Sequence, residues 1–313
     1  MAGPMDFSDS EGRARPRWMW ASEKGQTLVI VALLMLVLMA LLAMVIDVGN
    51  IYVERRLVQR AADAGALAGV RALSLNQTQA DVLAAVNDYA VVRNGAGSCQ
   101  AQILSSSVTV TASKTFNTYF ASVVGIPHFN VQAVAQAGYS FPSEWRGGLM
   151  PLLVKNTAIT LTRQIQIWDD KTQVSDYNYG KVADGERGWA NFDGGSVDNN
   201  EIVAWVAYGY PGTVKVGDWV NGTPGTKTAG LQEMAQVRLN TVIIVPVYDS
   251  TRPGISGNGE LDYHIVGFAA FYVVEVVDTG TPKYVKGQFI RYVAAQEAGG
   301  TFDSGVRVIA IKR

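Results

Sequence analysis

Apolar residues fall along this chain in three regimes: an unbroken run near the start, a stretch of mixed helical and strand spacing, and a long strand-like remainder. From Leu28 to Ile46 there is no charged residue, no glycine and no proline. A run of about 19 apolar residues, rising 1.5 Å per residue, matches the ~30 Å hydrocarbon core of a bilayer. Within lipid the backbone must satisfy its own polar groups, so the run predicts a transmembrane helix over about 26–46. Helix-compatible residues continue past Asp47 through Glu54, Arg55, Arg56, Leu57, Gln59 and Arg60 into AADAGALAG, which predicts one continuous helix over 24–72.

The polar pattern changes along that helix. Asp47 marks where burial in hydrocarbon becomes too costly for a charge, and Gly49 and Tyr52 follow it at the membrane exit, Tyr52 suited to an interfacial aromatic belt. Gln59 and Arg60 stand four and three residues before Asp63, so they can pair with it along one helix face. Ala61, Ala62, Asp63, Gly65 and Gly69 form a helix-packing segment with little side chain between this helix and a neighbour. The neighbour can be the chain's own sheet or another subunit.

Before the span, residues 1–23 are polar, contain Pro and Gly, and show no apolar period, which predicts a flexible tail. Trp18 and Trp20 suit the headgroup zone. After the rod, Val82, Leu83, Val86, Tyr89 and Ala90 recur at helical spacing before Asn94 and Gly95, predicting a second, short helix. Residues 100–113 alternate as one half-exposed strand, TYFASVVG predicts a helical turn ended by Gly125 and Pro127, and FNVQAVAQAGYS alternates again as a strand.

A boundary is expected at 141–148, FPSEWRGG, with an independent, mainly β domain over 149–313. Strand-like runs there are LMPLLVKN, AITLTRQIQIW, TVIIVPVYD, YHIVGFAAFYVVEVV, QFIRYV and VRVIAIK, interrupted by helical NNEIVAWVAYG and GLQEMAQVRLN. Pro246, unable to donate to a ladder, predicts a strand end, edge or bulge.

Composition narrows the function classes. A net charge of −1 over 313 residues, without a basic stripe, argues against nucleic acid as a partner. Cys99 is the sole cysteine, which excludes an intrachain disulfide and Cys-rich zinc sites. Arg13, Arg15, Arg17 and Lys24 could serve a signal peptide, but the apolar run exceeds the usual h-region and no A-x-A closes it, so a retained anchor is expected. Those basic residues barely outnumber Arg55, Arg56 and Arg60 beyond the span, and charge alone leaves orientation open.

Chemistry is sparse. His128 and His264 are the two histidines, and neither adjoins a G-x-S-x-G nucleophile elbow; no enzyme is expected and no catalytic residue is assigned. Cys99 reads as a small apolar residue. Asp193, Asp198, Asn199, Asn200 and Glu201 crowd oxygen donors that calcium favours, but EF-hand spacing is absent. The competing reading is a polar loop with Asn199 or Asn200 as helix N-cap, and no metal or cofactor is assigned. Trp145, Trp168, Trp189, Trp205 and Trp219 can fill a β-domain core or form an adhesive surface. Asn76 and Asn221 head N-x-[ST] triplets, which alone do not establish glycosylation.

The segment KGQTLVIVALLMLVLMALLAMVIDVGNIYVERRLVQRAADAGALAG, with Asp47, Gly49, Tyr52 and LVQRAADAGALAG after the apolar span, resembles TadE/TadG-like (tight adherence) proteins of Flp pilus assembly. The resemblance covers about a sixth of the chain strongly; GWANFDGG, VKVGDWV and VIIVPVYD are similar to C-terminal regions of the group. It implies a single-pass anchor in the cytoplasmic membrane, N-terminus inside and bulk outside the cytoplasm. Lys24, Gly25 and Gln26 look like a prepilin-type processing site, yet Ile30 stands where such pilins commonly carry Glu. A cleavage-independent, TadG-like anchor is therefore expected. Larger relatives often carry a DxSxS metal site; Asp6, Ser8 and Ser10 match the string in a tail ahead of the membrane, outside the required fold context.

The expected fold class is α+β: an N-terminal transmembrane helix extended into a pilin-like α+β unit completed by residues 73–140, then the mainly β domain. The expected function is a non-enzymatic, membrane-anchored component of a Tad/Flp-type pilus-assembly or surface-attachment apparatus. Its expected partners are the membrane, other pilus-assembly or envelope proteins and further copies of the chain. The alternative is a membrane-tethered, adhesin-like binding module whose β domain recognises an envelope polymer or partner protein.

Overall fold

The computed structural model describes residues 24–169, 186–195, 197–254 and 261–312. The expected tail of residues 1–23, with Trp18, Trp20, Asp6, Ser8 and Ser10, lies outside them, as do the side chains of Lys24, Gly25 and Gln26. The apolar run and the small-residue string form one helix, α1 (Lys24–Ser74). Its apolar window has a mean hydropathy of 3.3 and no residue buried within the chain; among the described residues it is the one helix long and apolar enough to cross a membrane. Just past its end, Asn76 adopts a left-handed conformation (φ 61), which asparagine tolerates.

Contacts divide the chain into two compact units: the chain through Glu54 with Thr115–Asn130, and Arg55–Lys114 with Val131–Arg313. In the first unit, the loop after β2 (Ser107–Asn117, preceded by β1, Ser98–Ile103) folds into a 3-10 turn, Ala121–Val124. Gly125 ends that turn with φ 90, and β3 (His128–Pro142) follows. The expected helical turn and returning strand are thus present, while the single strand expected over 100–113 is a hairpin. Ser98↔Ser113 through Ile103↔Val108 pair antiparallel around a turn near Ser105 and Ser106. The alternation of Ile103 with Val108 and Val110 concealed the break at those two serines, because serine suits both strand faces and turns.

In the second unit, α2 (Gln79–Asn87) starts with a capping box: Thr78 accepts from the Asp81 N–H, and the Asp81 carboxylate accepts from the Thr78 N–H. A π-helical turn, Asp88–Val92, extends it. The chain then runs β4 (Glu144–Arg146), β5 (Val154–Lys155), β6 (Gln164–Asp169), β7 (Glu186–Asn191), α3 (Asn199–Tyr208), β8 (Thr213–Lys215), β9 (Trp219–Pro224), α4 (Thr228–Val237), β10 (Val242–Pro253) and β11 (Leu261–Val277). It ends with β12 (Tyr284–Ile290), β13 (Tyr292–Ala294), β14 (Ala298–Gly300) and β15 (Val306–Lys312).

One sheet has the order β5-β10-β11-β12-β6 and another β1-β2-β3-β15-β13. β11 is covered on both faces. Phe271 and Val273 join Trp189, Ile202, Leu231 and Phe289 in one core, whereas Tyr263, Ile265 and Phe268 join Leu149 and Val306 in another. Burial on both faces explains its nearly continuous apolar sequence. Pro246 lies opposite Phe268, and the ladder breaks register from Val247/Tyr248, just beyond the proline.

Three further stretches depart from their expected form. Of the run AITLTRQIQIW only the part from Gln164 onward is strand, β6, while Ala158 ends a 3-10 turn, Asn156–Ala158. The LMPLLVKN run contributes only the two residues of β5 to a named strand, since Met150, Leu152 and Leu153 are buried in irregular backbone. Through the stretch expected as a linker, 141–148, β3 and β4 continue, and the last strand returns to the first sheet, Val308↔Ser140 through Lys312↔Gln136.

Candidate functional site

Asp47 follows the last residue of the apolar run, yet its side chain is not free in solvent: the residue is 8% exposed. Its Oδ1 accepts a hydrogen bond from the Tyr119 backbone N–H at 2.8 Å. Its Oδ2 accepts from Phe120 at 3.0 Å and Ala121 at 2.6 Å. These N–H groups open the 3-10 turn, where a helical start leaves donors without intrahelical acceptors. A carboxylate supplied from another element satisfies them as a local cap would. Burial pushes the Asp47 pKa up, but the hydrogen bonds from Tyr119, Ala121 and Phe120 outweigh it and hold the carboxyl below the usual carboxylate range.

The turn is held from the other side too. Thr118 donates its N–H to Pro127 O at 3.1 Å and its hydroxyl to Ile126 O at 2.5 Å. Ile126 donates its N–H to Ala121 O at 3.0 Å. At the base of the loop, His128 Nδ1 lies 2.8 Å from Asn117 Oδ1, and Phe116 packs on Phe129 with ring centroids 6.3 Å apart. An apolar cleft of about 420 Å³ lies between Ala40, Met44 and Ile51 of the helix and Phe120, Ile126 and Phe129 of the loop.

The other expected exit residues differ from Asp47. Tyr52 is 61% exposed. Gly49 faces open space, with nothing within 4 Å of where a Cβ would stand.

The small-residue segment packs within the second unit. Ala61 and Ala62 are fully buried. A Cβ on Gly65 would lie 3.0 Å from Ala90 Cβ, and one on Gly69 only 2.6 Å from Val86 Cγ2 and 3.1 Å from Val108 Cγ1. Of the two neighbours the sequence left open, the chain's own second helix and β2 occupy this face. Asp63 accepts from Gln59 Nε2 at 2.9 Å, one of the two pairings its spacing allowed. Ala64 and Ala68 border a groove of about 600 Å³ beside Arg71, Tyr89 and Ile309.

Arg307 does not stand out in the sequence. Its side chain, 7% exposed, donates from Nη1 to Ser74 O at 2.9 Å and from Nη2 to Asp303 at 3.1 Å. The guanidinium carbon lies 4.2 Å from the Tyr139 ring centroid. It thus closes the C-terminal end of α1, where carbonyls lack intrahelical donors. The available signal was an arginine inside the apolar run VRVIAIK.

The remaining polar candidates are dispersed. His264 Nδ1 sits 2.9 Å from Asp249 Oδ1, which also accepts from the Ser250 hydroxyl at 2.7 Å. His264 packs on Trp219, and Arg252 covers Trp219 at 4.1 Å while bonding Asp262. In the acidic loop the N-cap is Asp198, whose side chain accepts from Glu201 N at 2.8 Å, rather than Asn199 or Asn200; those two residues are the first of the helix. Burial, the adjacent Asp193 carboxylate and the Asp198 charge hold the Glu201 carboxyl above its usual range. No group of three or more His, Cys, Asp or Glu side chains is placed to hold a metal among the described residues. Trp145, Trp168, Trp189 and Trp205 are buried, whereas Trp219 is 37% exposed.

Residues 25–72 match the model of the Tad family, the TadE/G-like proteins of Flp pilus assembly. The matched stretch contains the apolar run, Asp47 and the packing glycines Gly65 and Gly69. No curated protein and no solved structure matches the chain.

Proposed function

We propose, taking the Tad-type segment as premise, that the chain is a non-enzymatic, single-pass component of a Tad/Flp-type pilus-assembly or surface-attachment apparatus in the cytoplasmic membrane. The N-terminus lies in the cytoplasm and the folded bulk lies outside it. The observation that carries this reading is the coincidence of the family match over 25–72 with a helix none of whose apolar window is buried within the chain. Large apolar side chains exposed all round a helix require an apolar solvent. Beyond the span, the same segment is committed to its own fold through Gly65 and Gly69, so the membrane-facing part is the part left to meet lipid and other assembly proteins.

A second reading, a tethered binding module, draws on Trp219, exposed at the surface beside Arg252 and His264. Deleting the gene and restoring the full chain separates the two. The first reading expects surface appendages to disappear on deletion and return on complementation. Appendages unchanged with attachment lost would favour the binding module; both unchanged would remove both readings.

A further inference from the structure

We infer that the loop from Thr118 to Phe129 is a second membrane-contacting element, a foot that enters the lipid interface beside the span. This rests on the reading of α1 as membrane-spanning. Three independent observations on the first unit lead to it.

The loop lies beside the end of the apolar run. The cleft it forms with the helix reaches Ala40 and Met44, residues inside the apolar run. Ala40 precedes Asp47 by seven residues, about 10 Å along a helix axis. A loop bonded to Asp47 and sharing a cleft with Ala40 and Met44 lies beside the last turns of the apolar run, the level of the lipid interface for a spanning helix.

Its surface suits lipid. Tyr119 is 66% exposed, Val123 85% and Ile126 51%, with Phe120 and Phe129 also exposed. No Asp, Glu, Lys or Arg occurs between Lys114 and Glu144. An exposed apolar tip flanked by tyrosine and uncharged residues fits the interfacial zone, where aromatic rings with one polar end are favoured.

Its backbone is prepared for an apolar solvent. Unpaired backbone donors are costly in lipid. Here Tyr119, Phe120 and Ala121 donate to Asp47, while Thr118, Val123, Gly125 and Ile126 donate to carbonyls within the loop, and Pro127 has no N–H. Asp47 thereby has a second role, supplying the acceptors that water would supply to an ordinary surface loop.

The experiment uses the full chain reconstituted in phosphatidylcholine/phosphatidylglycerol vesicles, with Cys99→Ala as background and single cysteines carrying an environment-sensitive fluorophore. Val123→Cys reports the foot, Val37→Cys the middle of the span, and Thr279→Cys an exposed polar turn. Nitroxide-labelled lipids serve as quenchers. The expected result is a blue-shifted Val123 emission, quenched most by nitroxides near the headgroups, with Val37 quenched by deeper ones and Thr279 by neither. If Val37 is quenched and Val123 stays water-like, the foot is overturned and the span stands. A blue-shifted Val123 without lipid quenching also overturns it, in favour of a protein contact such as a second copy. If Val37 is unquenched, the membrane reading fails and the foot with it.

Discussion

Asp47 and Ala121 stand 74 residues apart in sequence, and the carboxylate Oδ2 of the first accepts the backbone N–H of the second at 2.6 Å. With Tyr119 and Phe120 held by the same side chain, this links the end of the apolar helix to a turn between two strands. The acidic residue that follows the Tad-type apolar run is thus a cap for a distant turn, in addition to ending that run.

Asp47→Ala removes the acceptor for three backbone donors at once. Hydrogen exchange at Tyr119, Phe120 and Ala121 should accelerate, while amides of β10 and β11 keep their protection. Asp47→Asn retains one acceptor oxygen and should fall between the two. Unchanged exchange at the three amides in Asp47→Ala would show that the carboxylate does not hold the turn.

The same group sets a pH dependence. Its folded pKa is depressed, so its contribution is present above the unfolded carboxyl value of about 3.9 and is lost as pH falls through the lower folded value. Protection of the Tyr119–Ala121 amides should therefore be flat from about pH 7 to about pH 5 and decline only below about pH 4. A decline centred at about pH 6 would show that a group other than the Asp47 carboxylate controls the turn.

Glycines in the helix should diverge on substitution. Gly69→Ala places a Cβ against the stiff, β-branched Val86 and Val108, and overpacking of this kind costs about 1–3 kcal/mol, only partly offset by the helix propensity of alanine. Gly49→Ala meets open space and should add about 0.5–1 kcal/mol of helix stability. Thermal unfolding of the full chain in one detergent should place Gly69→Ala below the wild type and Gly49→Ala at or above it. If Gly49→Ala is stable yet impairs appendage formation, Gly49 is a contact for another protein.

Arg307→Met should destabilise the second unit by about 2–4 kcal/mol, because it strips a buried donor from Ser74 O and breaks the pair with Asp303. Arg307→Lys should recover little, since an ammonium cannot reproduce the planar fork that reaches both acceptors and covers Tyr139. Chemical denaturation read by tryptophan fluorescence measures both.

The bond between Gly25 and Gln26 should remain intact in the chain extracted from its native membrane, given Ile30 in place of the glutamate of processed pilins. Mass spectrometry of the intact chain checks this. A new N-terminus at Gln26 would establish pilin-type processing instead.

Legibility in the sequence followed the range of the interactions. The apolar helix, α1 through AADAGALAG, and the long strands β10 and β11 were readable because each rests on a local apolar pattern. The partner of that small-residue face was not, since whether Gly69 meets Val108 or another subunit is a question of tertiary contact. Asp47 was legible as the residue that ends the apolar run but not as a cap, because its partners are backbone N–H groups that leave no side-chain signature. The pairing of β15 with β3 was hidden for a similar reason: VRVIAIK announces a strand but not which edge it joins. The choice of Asp198 over its asparagine neighbours as N-cap was a boundary shift of one residue among equally capable side chains.

The most direct test counts surface appendages on cells whose only copy of the gene carries Asp47→Ala, with membrane levels of the chain matched to wild type. A marked loss of appendages is the predicted result, because the anchored segment and its loop would no longer present the same face to the assembly. Appendages in normal number at matched levels would contradict a role for this anchored segment in pilus assembly.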